Sequence, residues 1–309
     1  MKGIRFGDLS PQRKKRLSDL SLIFVALLWG GGFVAVKDAL DTVSPMWLMA
    51  LRMMIAALCF YLFLHRSIGR ISKSEWLKGG GVGLMLFLAF AAQTVGLQFT
   101  TASKQGFLTA TYVLFVPLLC WAIDRKAPPR KVFVSGLLMM GGLALVSLGK
   151  DAAFTQGDAL TLLCAVLFAM HIIAIERASR SMTSIRIAFI QFVVAAGLFL
   201  VAALIAEPFP STLTTRSWGA LFYLGILSTF VCFTLQTIAQ KYTSSSNVSI
   251  FLSLEAVFAA ILGVWILGEQ LTLRMIFGFV LIFAAVLLTE LDLKTLRDRN
   301  RNVIKRSGR

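Results

Sequence analysis

The sequence predicts an all-α integral membrane protein whose ten transmembrane helices form two inverted five-helix repeats around a central cavity. Three observations support this fold class: the apolar composition, the uneven distribution of basic residues and an internal repeat. Of the 309 residues, 57% are hydrophobic and 15% are charged, and the mean hydropathy is +0.79. Because soluble proteins are about 45–50% apolar and about 25% charged, this chain is expected to cross the bilayer repeatedly.

Ten apolar stretches are long enough to span a bilayer, for which a helix needs about 20 mostly apolar residues. The segments between them are short, and they leave no room for a separate soluble domain. We therefore divide the chain into a basic N-terminal tail (1–18), a first repeat (19–150), a second repeat (157–291) and a basic C-terminal tail (292–309). The predicted spans are about 19–37, 45–64, 77–98, 104–122, 130–149, 157–175, 185–206, 216–239, 248–267 and 272–290.

The lysines and arginines predict the orientation of the chain. If the N-terminus is cytoplasmic, 25 of the 31 basic residues lie in cytoplasmic segments and 5 in outer loops, and Arg52 lies inside the second span. Such an excess on one side sets the orientation of membrane proteins. We expect a multi-pass protein of the cell inner (plasma) membrane with both termini in the cytoplasm. The net charge of +16 needs no nucleic-acid partner to explain it, and none is predicted.

An internal repeat relates the two halves. An offset of 143 aligns residues 99–148 with residues 242–291, and an offset of 139 aligns the earlier spans. At these offsets Tyr112 falls on Glu255, and Gln93 falls on Gln236. Because each half holds five spans, the second half must be inverted in the membrane. Inverted repeats are common in secondary transporters, whose substrate sites lie near the midplane between the repeats.

Polar side chains inside the spans are the candidates for contact with a substrate. An ionisable or polar group at membrane depth is costly unless it faces a partner or a wet cavity. Glu255 lies in the first half of the ninth span and is the strongest candidate, and His171 lies within the sixth. Both are also candidates for carrying a coupling proton. The predicted substrate-binding residues are Trp29, Gln93, Tyr112, His171, Gln236 and Glu255.

Each candidate also has a structural interpretation. Glu255 could be a carboxylate that bonds a neighbouring helix, His171 a neutral hydrogen-bonding residue, and the glutamines Gln93 and Gln236 interhelical hydrogen-bonding groups. The two aromatic candidates could serve in packing. Arg52 could extend to the interface as an anchor, form an ion pair or contact substrate, and it is left outside the predicted site.

Catalytic and metal chemistry find no support in the sequence. The four cysteines lie in apolar stretches without CxxC spacing, and neither a metal-ligand cluster nor a Ser-His-Asp arrangement is evident. We expect no metal, no cofactor and no enzymatic activity. The expected partners are the lipid bilayer and a small-molecule substrate, with a proton as a candidate coupling ion. The sequence predicts neither the oligomeric state nor the direction of transport.

The pattern of the chain resembles a known family. Ten short-looped spans in a five-plus-five repeat, the paired segments FTTASKQGFLTATYVLFVPLL and YTSSSNVSIFLSLEAVFAAILGVWILGEQLT, and the early segment LLWGGGFVAVKDAL are similar to the EamA-type exporters of the drug/metabolite transporter superfamily. The resemblance covers residues 18–291. It implies two pseudo-symmetric halves around a cavity and the transport, often efflux, of small metabolites such as amino acids.

The predicted function is therefore secondary transport, with export of amino acids or related small polar metabolites by alternating access. Nucleotide-like compounds, vitamins and lipophilic cations or drugs are the alternative substrates. A membrane scaffold or receptor without transport is the alternative of another class.

Overall fold

A computed structural model describes residues 10–147, 154–210, 213–267 and 272–290. Within these ranges the chain is helical and has no β-strand. Seven helical segments of this part are long and apolar enough to cross a membrane by length and composition, and two shorter apolar segments accompany them. The predicted C-terminal tail and the first half of the predicted N-terminal tail lie outside the described residues.

The helices follow the order of the ten predicted spans. The fourth, eighth and ninth spans are built from shorter pieces, and the others are single helices. The elements are α1 (Pro11–Ala39), α2 (Pro45–Ile68), α3 (Lys73–Leu97), α4 (Ala102–Ala110), α5 (Tyr112–Asp124), α6 (Arg130–Ser147), α7 (Gln156–Ala178), α8 (Ser184–Ala206), α9 (Thr215–Phe222), a π-helix (Tyr223–Val231), α10 (Cys232–Ala239), α11 (Ser245–Leu252), α12 (Glu255–Leu267) and α13 (Leu273–Glu290).

The first helix begins earlier than predicted. It starts at Pro11, inside the segment predicted to be an N-terminal tail. The Ser10 side chain accepts a hydrogen bond from the Arg13 backbone N–H at 3.4 Å, and a proline in the first turn needs no backbone donor. The basic residues Arg13–Arg16 therefore belong to the helix, which begins within the segment predicted as a basic tail and continues into the first span.

Two spans break at equivalent positions of the repeat. The fourth span is interrupted at Thr111, and the ninth at Ser253 and Leu254. The Thr111 hydroxyl donates to the Leu108 carbonyl at 2.6 Å, and the Ser253 hydroxyl donates to the Ile250 carbonyl at 2.9 Å. Such bonds compete with the helical backbone ladder. Because the offset of 143 places Thr111 on Leu254, the interruption belongs to both halves.

The two halves pack with pseudo-two-fold symmetry. Equivalent helices meet where α2 packs on α8 and α6 packs on α13, and α3 contacts α7 as α10 contacts α1. The Trp47 indole Nε1 donates to the Glu207 carbonyl at 3.2 Å, and Arg186 Nε donates to the Ile68 carbonyl at 2.8 Å. The offset of 139 aligns these two pairs. Each half thus makes the same contact with the other, at opposite ends of the molecule.

The outer surface of the bundle is apolar. Large side chains such as Phe63, Leu77, Ile205 and Phe283 are between 64% and 82% exposed. Water would disfavour this much exposed apolar surface, whereas acyl chains do not. The polar side chains inside the spans are therefore expected to lie between the helices.

Candidate functional site

A cavity lies between the two halves, next to both helix breaks. The space open to the centre of a water molecule is about 50 Å³, several times the ~10–15 Å³ that one water needs by this measure. Four phenylalanine rings and several aliphatic side chains form much of the wall. The polar side chains that line the cavity are Trp29, Arg52, Gln93, Gln105, Thr109, Tyr112, Ser228, Gln236 and Glu255.

The two residues that follow the helix breaks bond to each other. Tyr112 is the first residue of α5 and Glu255 the first of α12, and both are buried, with 3% and 4% exposure. The Tyr112 hydroxyl donates to Glu255 Oε1 at 3.2 Å. Since these positions are equivalent in the repeat, the contact joins the halves at their pseudo-symmetry axis. The sequence predicts both residues for the site but not the bond between them.

The repeat-related glutamines both line the cavity but have different partners. Gln93 Nε2 donates to the Thr109 hydroxyl at 3.3 Å, whereas Gln236 Nε2 donates to Gln240 Oε1 at 3.0 Å. Gln240 Nε2 in turn donates to the Ile172 carbonyl at 2.9 Å. That backbone acceptor fixes the orientation of the Gln240 amide, and the Gln240 amide fixes that of Gln236.

Two amide oxygens at the cavity have no hydrogen-bond partner in the described part of the chain. One is Gln236 Oε1, and the other is Gln105 Oε1. Gln105 Nε2 donates to the backbone carbonyl of Gln93 at 2.6 Å, so this amide too is oriented by the backbone. A buried acceptor without a donor costs about 1–3 kcal/mol. With the Glu255 carboxyl group, the residues that line the cavity thus include three groups that can accept a hydrogen bond from a ligand.

The remaining polar groups come from α1, α2 and the π-helix. Trp29 Nε1 donates to the Ser228 carbonyl at 2.8 Å, and the Trp29 ring packs on Phe233 with 4.9 Å between ring centroids. Arg52 donates from Nη2 to the Ser228 hydroxyl at 3.1 Å and from Nε to the Thr229 hydroxyl at 2.5 Å. Short π-helical stretches recur at functional sites, and this one supplies both hydroxyl acceptors.

His171 does not line the cavity. It is fully buried behind two rings of the cavity wall, at centroid distances of 6.4 Å from Phe168 and 5.8 Å from Phe233. Its Nε2 bonds to Gln191 Oε1 at 2.9 Å. The structure therefore places His171 outside the cavity lining, apart from the other five predicted residues. Its side chain bonds α7 to α8.

Two further polar residues of the cavity lining, Arg52 and Gln105, were not among the predicted site residues. Arg52 is 3% exposed and Gln105 is fully buried, so of the three roles left open for Arg52, the interface anchor does not fit the structure. A usable signal was present in both cases, because each is a polar side chain within an apolar span. Thr109 and Ser228 could not be predicted from the sequence, because small hydroxyl residues are common in membrane helices and give no comparable signal.

Comparison with known proteins identifies the family and the fold of this chain. The sequence pattern of the EamA-like transporter family matches the chain twice, over residues 16–148 and 155–291. The chain belongs to the EamA-like transporter family. A protein of known crystal structure shares the fold, with a TM-score of 0.74 and 20% identity over 91% of this chain and 99% of that one.

Several relatives within the EamA-like family carry the name of transporters. An uncharacterized transporter of Archaeoglobus fulgidus is 36% identical over 90% of this chain and 87% of its own length. The uncharacterized transporter YoaV of Bacillus subtilis is 26% identical over 86% and 94%. The uncharacterized inner membrane transporter YicL of Salmonella typhimurium is 25% identical over 88% and 95%. The protein is thus a multi-pass membrane transporter.

Proposed function

We propose that this transporter exports amino acids or related small polar metabolites by alternating access of the central cavity. The observation that carries the proposal is the Tyr112–Glu255 bond at the two helix breaks, in a cavity whose lining also includes Gln105 and Gln236 with their unpartnered amide oxygens. An ammonium group has three N–H donors and no acceptor. Three acceptor groups in a small buried cavity suit such a group, and the phenylalanine rings suit an apolar side chain.

Alternating access is supported by contacts at opposite ends of the bundle. Lys37 Nζ, at the end of α1, donates to the carbonyls of Leu97 and Thr100 at 2.8 and 3.2 Å. Glu176, near the end of α7, accepts from the Ser245 backbone N–H at 3.0 Å and from the Ser245 hydroxyl. The offset of 139 aligns Lys37 with Glu176. In each half, the first span is thus tied to the start of that half's broken span, so these contacts would hold each half together while the two halves rock against each other.

Glu255 is our candidate for the residue that carries the coupling proton. Its carboxyl group lies within the membrane, at the contact between the halves, and its described donor is the Tyr112 hydroxyl. Neutralising a carboxylate there changes its attraction for a substrate ammonium and for the hydroxyl at once. A proton could therefore compete with the substrate for one site. We further propose that both termini are cytoplasmic, as the basic residues predict.

Uptake by reconstituted protein tests the proposed function. Purified protein in proteoliposomes is offered labelled amino acids, nucleosides, vitamins and lipophilic cations, with empty liposomes as the control. We expect uptake of at least one amino acid, competed by the unlabelled compound. Uptake of lipophilic cations alone would favour the alternative that the substrates are lipophilic cations or drugs. Absence of uptake for all four classes, in a preparation that still melts cooperatively, would contradict transport of these substrates.

A further inference from the structure

Arg52 is a buried cation that pairs with no carboxylate of the described residues. It is 3% exposed, it lines the cavity, and its guanidinium carbon lies 4.5 Å from the centre of the Phe90 ring. Within the described residues, no carboxylate lies within 4 Å of it. Its hydrogen bonds in that part of the chain go to the neutral hydroxyls of Ser228 and Thr229. These two bonds use two of the five N–H groups of a guanidinium.

The fold itself does not require a charge at this position. The repeat-equivalent residue of Arg52 is Gln191, which is also fully buried. Gln191 is satisfied by neutral groups, with Oε1 bonded to His171 at 2.9 Å and Nε2 donating to the Thr237 hydroxyl at 3.4 Å. A neutral amide therefore serves the same helix position in the other half. Arg52 differs from Gln191 in its charge and in facing the cavity.

A charged residue at this depth is expensive unless something compensates it. Glu255 does not supply the negative charge that would compensate Arg52, because no salt bridge joins Arg52 and Glu255 among the described residues. Arg52 extends from the first half of the chain and Glu255 from the second, and both line one cavity. The cavity lining therefore holds a cationic side chain from one half and an acidic side chain from the other, with no salt bridge between them among the described residues.

We propose that Arg52, held by Ser228 and Thr229, is the subsite that binds the carboxylate group of the transported substrate. The planar guanidinium presents paired donors that match a carboxylate. A substrate that carries a carboxylate and an ammonium would bond to Arg52 of the first half and to Glu255 of the second. It would thereby contact both moving parts. This inference rests on the proposed function only in taking the cavity as the substrate site.

Thermal stabilisation of the purified protein tests the subsite. A ligand that binds only the folded state raises the melting temperature, because it stabilises that state by RT ln(1 + [L]/Kd). The probes are the twenty L-amino acids, the corresponding L-amino acid amides, which lack the carboxylate, and simple monocarboxylates, which lack the ammonium. The variants are Arg52→Gln, which copies the equivalent Gln191, and Arg52→Lys, which keeps the charge. Arg216→Gln removes an exposed charge, 80% accessible and paired with Asp38, and is the control.

We expect an amino acid to stabilise the wild type more than its amide does. Arg52→Gln should weaken its binding about tenfold or more, as the loss of a charged hydrogen bond of about 1.5–3 kcal/mol implies. Arg52→Lys should retain part of the affinity and Arg216→Gln all of it.

Three results would overturn the subsite: equal stabilisation by acids and amides, acid preference retained in Arg52→Gln, or no stabilisation by any carboxylate. A shift produced by sodium chloride alone and abolished in Arg52→Gln would assign the site to inorganic anions and would also overturn it. Stabilisation by monocarboxylates but by no amino acid would leave the Arg52 subsite in place and contradict the proposed amino-acid function instead.

Discussion

The bond between Tyr112 and Glu255 offers a quantitative test of the site. Tyr112→Phe removes the hydroxyl that donates to Glu255 Oε1 at 3.2 Å and leaves the ring in place. A hydrogen bond to a charged group contributes about 1.5–3 kcal/mol, and one between neutral groups about 0.5–1.5 kcal/mol. We therefore expect Tyr112→Phe to lower the free energy of unfolding by about 2 kcal/mol if Glu255 is ionised. In a Glu255→Gln background the same change should cost about 1 kcal/mol.

The assay is reversible unfolding in mixed micelles by titration with a denaturing detergent. The difference between the two backgrounds is a double-mutant coupling energy, which measures the charge on the acceptor. Tyr61→Phe is the matched control, because this tyrosine is 56% exposed and exposed substitutions usually change stability by less than about 0.5 kcal/mol. If Tyr112→Phe behaves like Tyr61→Phe, the bond does not exist in the folded protein. Equal losses in the two backgrounds would show that Glu255 is neutral there.

Three further predictions concern packing, the amides and topology. Gly30→Ala would place a Cβ 2.9 Å from backbone atoms of α12 and should lower the free energy of unfolding by about 1–3 kcal/mol. Gly80→Ala, with open space around the position, should be neutral or stabilising. The same unfolding titration checks both variants, and equal effects would contradict the close approach of α1 to α12 at Gly30. Gln93→Ala and Gln236→Ala should each weaken substrate binding about tenfold, for a loss of about 1–3 kcal/mol, at near-normal expression; unchanged affinity in both would make them interhelical contacts only. A cysteine replacing the exposed Phe154 in a cysteine-free protein should react with an impermeant thiol reagent in intact cells, and labelling only after lysis would contradict the proposed orientation.

The sequence predicted the number and order of the spans because hydropathy and the repeat act over whole segments. It could not locate the helix breaks, since Thr111 and Ser253 are ordinary residues for a membrane helix and differ from their neighbours only in their local hydrogen bonds. The alignment of Tyr112 with Glu255 was visible in the repeat. That the two side chains would touch follows only once the halves are folded around their pseudo-symmetry axis.

The places of Arg52 and His171 in the structure have physical causes. Arg52 lies seven residues into α2, about 10 Å along the helix axis at 1.5 Å per residue, which is too deep for the interface to compensate its charge. His171 was assigned to the cavity because it is polar and lies mid-span. Its Nε2 instead bonds to Gln191 of a neighbouring helix. The position of a polar residue within a span indicates that it points into the bundle. It does not indicate whether the side chain faces the cavity or a neighbouring helix.

The central claim is that the cavity around Glu255 is the substrate site of a secondary transporter. Its most direct test is uptake of labelled amino acids by proteoliposomes that contain either the wild type or Glu255→Gln, measured across a range of pH. We expect pH-dependent uptake by the wild type. The variant, which keeps the shape of the side chain, should insert and fold but lose the pH dependence, and it should bind more weakly if the carboxylate contacts the substrate ammonium. Wild-type rates and wild-type pH dependence in Glu255→Gln would contradict the claim.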